Sequence, residues 1–319
     1  MEFGFELALC AALEARTDWV LARQLGGGVT DPGGRVVDVV GVTPGPEFDD
    51  RARITDRSIP GVAIESAVGV GEPRRPRDAL DCHPERVDGV VDAAVDAGFF
   101  SAERRGGRRY VRQTTRYPDD WFGRLVGVEN KPDLGRPGDL RRQLRLDVSL
   151  ALFDEVWLAT ESHVTGAHLN RIPEPVGVWR FDPETGERDV VREAASLPVD
   201  EPGVELLDER PLRTDVDVVS ADAKRRRRRR IAERAYGKGW RTYDFPACAR
   251  CAATDDARPH CEHFDAVVDP ASDCGADCPG FRPGDAADVD ADALRDARTP
   301  WRRDPPGVSR RQAGLDRFR

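Results

Sequence analysis

Apolar residues along this chain recur with two different periods, and each predicts a different kind of element. Residues 35–42 read Arg-Val-Val-Asp-Val-Val-Gly-Val, a β-branched run that predicts a strand with Asp38 inside it. Residues 125–131 form a second apolar run, which ends in Glu129-Asn130-Lys131. Residues 137–152 take up helical spacing, with Asp139 placed as a cap and Leu140, Gln143, Leu144, Asp147, Val148 and Ala151 on one face. A short apolar strand follows at 154–160. Strands interleaved with helices make this an α/β chain.

The segment between the first two strands has its own pattern. Residues 44–60 are polar and rich in proline and charge, and predict a loop. Residues 84–97 predict a helix, with Val87, Val90, Val91, Ala94 and Val95 at helical spacing and Gly98 as its stop. Two short strands then flank Gly106-Gly107, with Arg104, Arg105, Arg108 and Arg109 beside the turn. A helix followed by a basic hairpin resembles a winged-helix module, in which these arginines would contact DNA phosphates or the minor groove.

Chemistry enters with Asp38. A carboxylate inside an apolar strand is costly without a partner, and a metal ion would serve as one. Alternation along a strand puts Glu129 and Lys131 on one face and Asn130 on the other. Lysine occurs only at Lys131, Lys224 and Lys238, and arginine supplies the rest of the 49 basic residues, so a lysine at this spot stands out.

The ordered set of Asp38 strand, Glu129-Asn130-Lys131 strand, Gln143 helix and apolar strand resembles the PD-(D/E)xK nuclease superfamily, the restriction-endonuclease-like fold. Helix 2–15 fits its leading helix, and residues 173–192, with a turn at 182–186, fit its closing hairpin. The resemblance implies a mixed central sheet between helices and a metal-dependent DNA nuclease. Asp38 and Glu129 would bind Mg²⁺ or Mn²⁺, Lys131 would assist the attacking water, and Gln143 would position DNA or water. A leading-helix acid, Glu6 or Glu14, would add a ligand. The rival reading is a non-catalytic DNA-binding or adaptor protein with the same fold.

Five of the seven cysteines fall in one stretch, at Cys248, Cys251, Cys261, Cys274 and Cys278, interleaved with His260 and His263. The stretch is polar and lacks a core of its own, so it needs a staple. The Cys248-x2-Cys251 knuckle with later cysteines or histidines predicts Zn²⁺. Some members of the nuclease superfamily hold a [4Fe–4S] cluster instead, and Cys10 with Cys248, Cys251 and Cys261 resembles that arrangement.

Lys224 to Arg230 is an unbroken run of cations on a predicted helix. Arg225 and Arg228 are candidates to meet nucleic acid there. Residues 283–319 have the composition of a disordered tail. Within it Gln312, Leu315 and Phe318 resemble the peptide motif that binds the sliding clamp of replication.

Net charge is −9, with 58 acidic against 49 basic residues. The excess of aspartate and near absence of lysine suit a halophilic cytoplasm, where a carboxylate-rich surface stays hydrated. In concentrated salt the field of that charge is screened within roughly 3 Å, so acidity does not exclude DNA as partner. No run approaches membrane-spanning length and the first residues are acidic, so a soluble, cytoplasmic protein is expected. The predicted organisation is a nuclease-like core at 1–43 and 115–215, an insertion at 44–114, a basic helix with a metal-binding segment at 216–282, and the tail at 283–319.

Overall fold

The computed structural model describes residues 2–26, 35–210 and 212–305. In chain order the elements are α1 (Glu2–Arg16), β1 (Val20–Leu25), β2 (Val37–Pro44), α2 (Phe48–Ala52), α3 (Gly61–Ile64), α4 (Pro76–Ala79), α5 (Pro84–Asp96), β3 (Phe100–Arg105), β4 (Arg108–Gln113), β5 (Phe122–Asn130) and α6 (Leu140–Leu150). Then come β6 (Glu155–Thr160), α7 (Gly166–Leu169), β7 (Gly177–Phe181), β8 (Arg188–Arg192), β9 (Gly203–Arg210), β10 (Arg213–Val219), α8 (Ala221–Lys238), β11 (Cys251–Ala253), β12 (Pro259–Cys261), β13 (Ala266–Val267) and α9 (Ala291–Arg298). Their described residues form two compact units, one built from 2–43 with Arg124–Pro300, the other from Pro44–Gly123 with 301–305, each range taken over its described residues.

The first unit is a mixed α/β structure around a six-stranded sheet of order β1-β2-β5-β6-β7-β8. Strands β5, β6 and β7 run parallel, while β1 pairs antiparallel with β2 and β8 with β7. Helix α1 covers one face. Its Phe5, Leu9 and Leu13 pack on Leu21, Val39, Val126, Val128, Trp157 and Trp179. The two tryptophan rings stack at 4.4 Å. Alternation along each strand therefore sends Asp38, between Val37 and Val39, and Glu129, next to Val128, to the opposite face. Helix α6 lies against β6 and buries Leu140, Leu144, Asp147 and Leu150. It ends at Ala151, whose φ of 51° is left-handed.

The second unit contains α2 to α5 and the β3–β4 hairpin. Helix α5 buries Val87, Val91 and Ala94. The hairpin turns through Gly106 and Gly107 at φ of 55° and 77°, values that glycine adopts without strain. Arg74 forms an isolated antiparallel bridge to Val111 of β4 through two backbone bonds of 2.8 Å.

Three segments differ from the pattern-based expectation. Residues 44–60 contain α2, because Phe48 and Ala52 are buried and the Arg51 guanidinium caps Thr55 O at 2.9 Å and Arg57 O at 2.7 Å. Within 283–319, helix α9 forms because Arg295 buries its head on the last carbonyls of α8, Ala235 O at 3.2 Å and Tyr236 O at 2.6 Å. Helix α9 is held by a tertiary partner that its composition does not reveal. The clamp-like residues Gln312, Leu315 and Phe318 lie outside the described residues.

The third correction concerns the basic run. Ser220 caps α8, and much of the cationic charge is spent inside the fold. Lys224 donates to Pro198 O at 2.8 Å, and Arg227 pairs with Glu205 at 2.8 Å. Arg228 is 8% exposed and holds Leu152 O at 2.7 Å and Asp154 at 2.9 Å. Arg228 is thus a structural residue and does not present itself to nucleic acid, whereas Arg225, paired with Asp222, stays exposed. Arg228→Ala, which leaves Asp154 short of its partner, should lower unfolding free energy by about 3 kcal/mol. Arg225→Ala should change it by less than about 0.5 kcal/mol. Urea unfolding of the two variants beside wild type checks this, and equal effects would contradict it.

Candidate active site

Asp38 on β2 and Glu129 at the end of β5 occupy the sheet face opposite α1, with Asp147 of α6 beside them. Arg35, just before β2, reaches into the group. Its guanidinium pairs with Glu129 and bonds Asp147 at 3.0 and 3.2 Å, and its side chain is 10% exposed. Asp38 Oδ2 accepts the Asn130 backbone N–H at 2.9 Å, which ties the aspartate strand to the triplet strand.

The other face carries a second polar group. Asn130 points there, as alternation requires, and its Nδ2 donates to Glu6 of α1 at 2.8 Å. Arg23 holds the other Glu6 oxygen at 2.8 Å. Gln24 links the two faces, since its Nε2 lies 2.7 Å from Glu6 and 3.4 Å from Asp38. Gln24 does so with φ of 51°, a left-handed non-glycine backbone that costs on the order of 1 kcal/mol or more. Lys131 lies one residue past the end of β5 and pairs with Glu2 at 3.4 Å. It therefore meets α1 and does not share Glu129's partners.

Charge on the α6-facing side does not balance. Among the described residues Glu6 has Arg23 and Glu2 has Lys131, but Glu129 and Asp147 share the guanidinium of Arg35, and Asp38 beside them has no ion-pair partner. Burial, together with the charges of Glu6 and Glu2, pushes the Asp38 carboxyl up to about 6. Burial and the neighbouring Asp38 charge push Glu129 up to about 8, against the pull of Arg35. Burial also raises Asp147. Fully ionised, the set carries two negative charges beyond what Arg35 offsets. Nearby, Asn130 Oδ1 is buried without a hydrogen-bond partner. A cleft of about 740 Å³ opens beside this edge, lined by Glu2, Glu6, Arg23 and Gln24 and by the rings of Phe3 and Tyr243.

The remaining candidates lie elsewhere. Gln143 is half-buried on α6, one turn before Asp147, with only its backbone bond to Asp139 O described. Glu14 is structural, since Arg241 holds both of its oxygens at 2.9 and 2.6 Å and Trp240 donates at 2.9 Å. In the second unit, Arg104 and Arg108 are exposed, Arg105 pairs with Glu103, and Arg109 pairs with Asp92 at 2.6 Å. Cys10 lies in the hydrophobic core under α1, where burial pushes its thiol up, and the charges acting on it come from Glu6, Arg23, Glu14 and Arg241 rather than from other cysteines.

A family model matches residues 20–283. The chain belongs to DUF5787, a family of unknown function. No curated protein and no solved structure matches it. The matched span of this DUF5787 chain includes Asp38, Glu129, Lys131 and Asp147, while Glu2 and Glu6 precede it.

Sequence patterns pointed to Asp38, Glu129 and Lys131 but missed Arg35, Gln24 and Asp147 as partners. Asp147 left a signal, an acid on the apolar face of α6. Arg35 and Gln24 left none. Among the described residues, no three His, Cys, Asp or Glu side chains stand ready to hold a metal ion. Nor is any helix among them long and apolar enough to cross a membrane.

The raised carboxyls set a pH dependence. Unfolded carboxylates titrate near about 4. Asp38 and Glu129 bind protons more tightly when folded, so their stabilisation is full below about 4 and is lost as pH rises through about 6 and about 8. In chelator, Asp38→Asn/Glu129→Gln should therefore gain melting temperature relative to wild type as pH rises across that window. A difference that stays flat with pH would show that the two carboxylates do not repel.

Proposed function

We propose that this chain is a metal-dependent DNA nuclease of the PD-(D/E)xK type, acting in repair or replication. The two-charge deficit among half-buried Asp38 and buried Glu129 and Asp147 carries the reading, because a divalent cation is the species that would cancel it. The order of elements supports it as well: leading helix α1, aspartate strand β2, triplet strand β5, Gln143 helix α6 and apolar strand β6, with β2, β5 and β6 neighbours in the sheet. That is the order the resemblance implies.

Asp38 and Glu129 would offer carboxylate oxygens, the donor type a hard cation takes. A bound Mg²⁺ or Mn²⁺ would polarise a phosphoryl oxygen and lower the pKa of a water. Arg35 holds Glu129 and Asp147 in place and offsets part of their repulsion. Among the described residues the Lys131 ammonium is tied to Glu2, whose side chain is 64% exposed, a pair worth little in stability. Its ammonium is thus free to turn toward a phosphate and stabilise developing charge. Tyr243 and Phe3 give the adjoining cleft apolar surface on which a nucleotide would rest.

The second unit serves this reading as a DNA grip. Its helices and basic hairpin resemble a winged-helix module, and a cavity of about 390 Å³ there is lined by Arg75, Arg77, Arg108 and Arg109 together with Asp78 and Asp88. Residues 312–318 would tether the enzyme to the sliding clamp.

A cleavage assay tests the activity. Wild type and Lys131→Ala are compared in concentrated KCl with Mg²⁺ or Mn²⁺, on labelled single-stranded, duplex, flap and branched DNA and on RNA. The expected outcome is cleavage by wild type and a loss of at least about 100-fold in the variant. Cleavage unchanged by the substitution would contradict the assigned role of Lys131. Absence of cleavage by metal-loaded wild type would favour the non-catalytic adaptor.

A further inference from the structure

The segment from Ala247 to Gly284 closes on itself without an apolar interior. Its ends are pinned by Ala249 N to Arg282 O at 2.8 Å, Gly284 N to Ala247 O at 3.4 Å and a bridge between Cys248 and Pro283. Between them runs only the small sheet β11-β12-β13. The buried apolar residues of the segment are Cys248, Cys251, Ala257, Cys261 and Val268. Three of those five are cysteines, and two alanine- or valine-sized groups cannot order a loop of this length. All seven cysteines of the chain are free thiols, so no disulfide does it either.

The fold brings four of the thiols together. Cys251 and Cys261 are cross-strand partners in β11 and β12. Cys248 stands at the start of a tight turn closed by Cys251 N to Cys248 O at 3.0 Å. The charged neighbours acting on Cys251 are Cys274, Cys261 and Cys248. Of the other candidates, His260 faces Asp265 at 3.6 Å. His263 bonds Arg250 at 2.9 Å and packs edge-on to Phe264 at 4.8 Å. Cys278 acts on Cys274 but not on Cys251.

We infer that Cys248, Cys251, Cys261 and Cys274 bind one structural Zn²⁺ as a tetrathiolate, and that this ion supplies the missing core of the segment. As they stand the four sulfurs are not gathered to ligand distance. Cys251 and Cys261 already stand on neighbouring strands and Cys248 one turn away, and closing the set round an ion brings the four side chains together. Four thiolates and no open position make the site structural, not catalytic. The inference is independent of the nuclease reading.

Metal analysis of the full chain, purified without chelator or added metal, tests it. The expected result is about one zinc per chain, with tetrahedral cobalt bands on Co²⁺ replacement and sulfur-to-metal charge transfer marking thiolate ligands. Cys274→Ser, at a half-buried position that folding tolerates best, should lose most of the zinc. Cys278→Ser and His263→Ala should keep it. A mercurial thiol reagent should release zinc from wild type in step with thiol modification, a readout that does not depend on any variant folding. Zinc-free protein with freely reactive thiols, a visible iron–sulfur absorption, or equal zinc loss in His263→Ala would each overturn the assignment.

Discussion

Two buried carboxylates paired with one guanidinium, and a third, half-buried, beside them, are the constraint around which the first unit is arranged. Asp38, Glu129 and Asp147 come from β2, β5 and α6, and Arg35 is the cation among them. Removing charge from water costs several kcal/mol per ion unless geometry and hydrogen bonds repay it. An arrangement that leaves carboxyls raised to about 6 and about 8 is poor value for stability alone. Strain at Gln24 points the same way, because its left-handed backbone serves to bring one amide onto both Asp38 and Glu6. Perturbed acids and local strain at one sheet edge are features that mark sites more often than cores.

The rest of the unit holds that edge in place. Helix α1 is anchored by Glu6 near its start, through Asn130, Arg23 and Gln24, and by Glu14 near its end, through Arg241 and Trp240. The apolar residues between them bind α1 to the sheet. The basic helix α8 lies against β1 and spends Lys224, Arg227 and Arg228 on internal partners. Its cationic run is, in large part, internal support.

Local periodicity made much of this legible. The β-branched run around Asp38, the amphipathic face of α6 and the Gly-Gly hairpin each follow from side-chain spacing, and spacing needs no tertiary information. Alternation also placed Asn130 opposite Glu129. It did not place Lys131, because β5 ends at Asn130 and the pleat no longer governs the next residue. Arg35, Gln24 and α9 were hidden for a shared reason: each is fixed by a partner far along the chain, and composition carries no trace of such a partner. The burial of Arg228 was hidden inside a run of identical charges, where only the fold says which member turns inward.

The central claim is that the Asp38–Glu129 edge is built for a divalent cation. Calorimetric titration of the chelator-stripped full chain with Mn²⁺, beside Asp38→Asn/Glu129→Gln, tests it most directly, and the melting temperature of each shows that both are folded. The account predicts a saturable Mn²⁺ site in wild type that the double variant lacks. Equal binding by both proteins, or none by folded wild type, would contradict it.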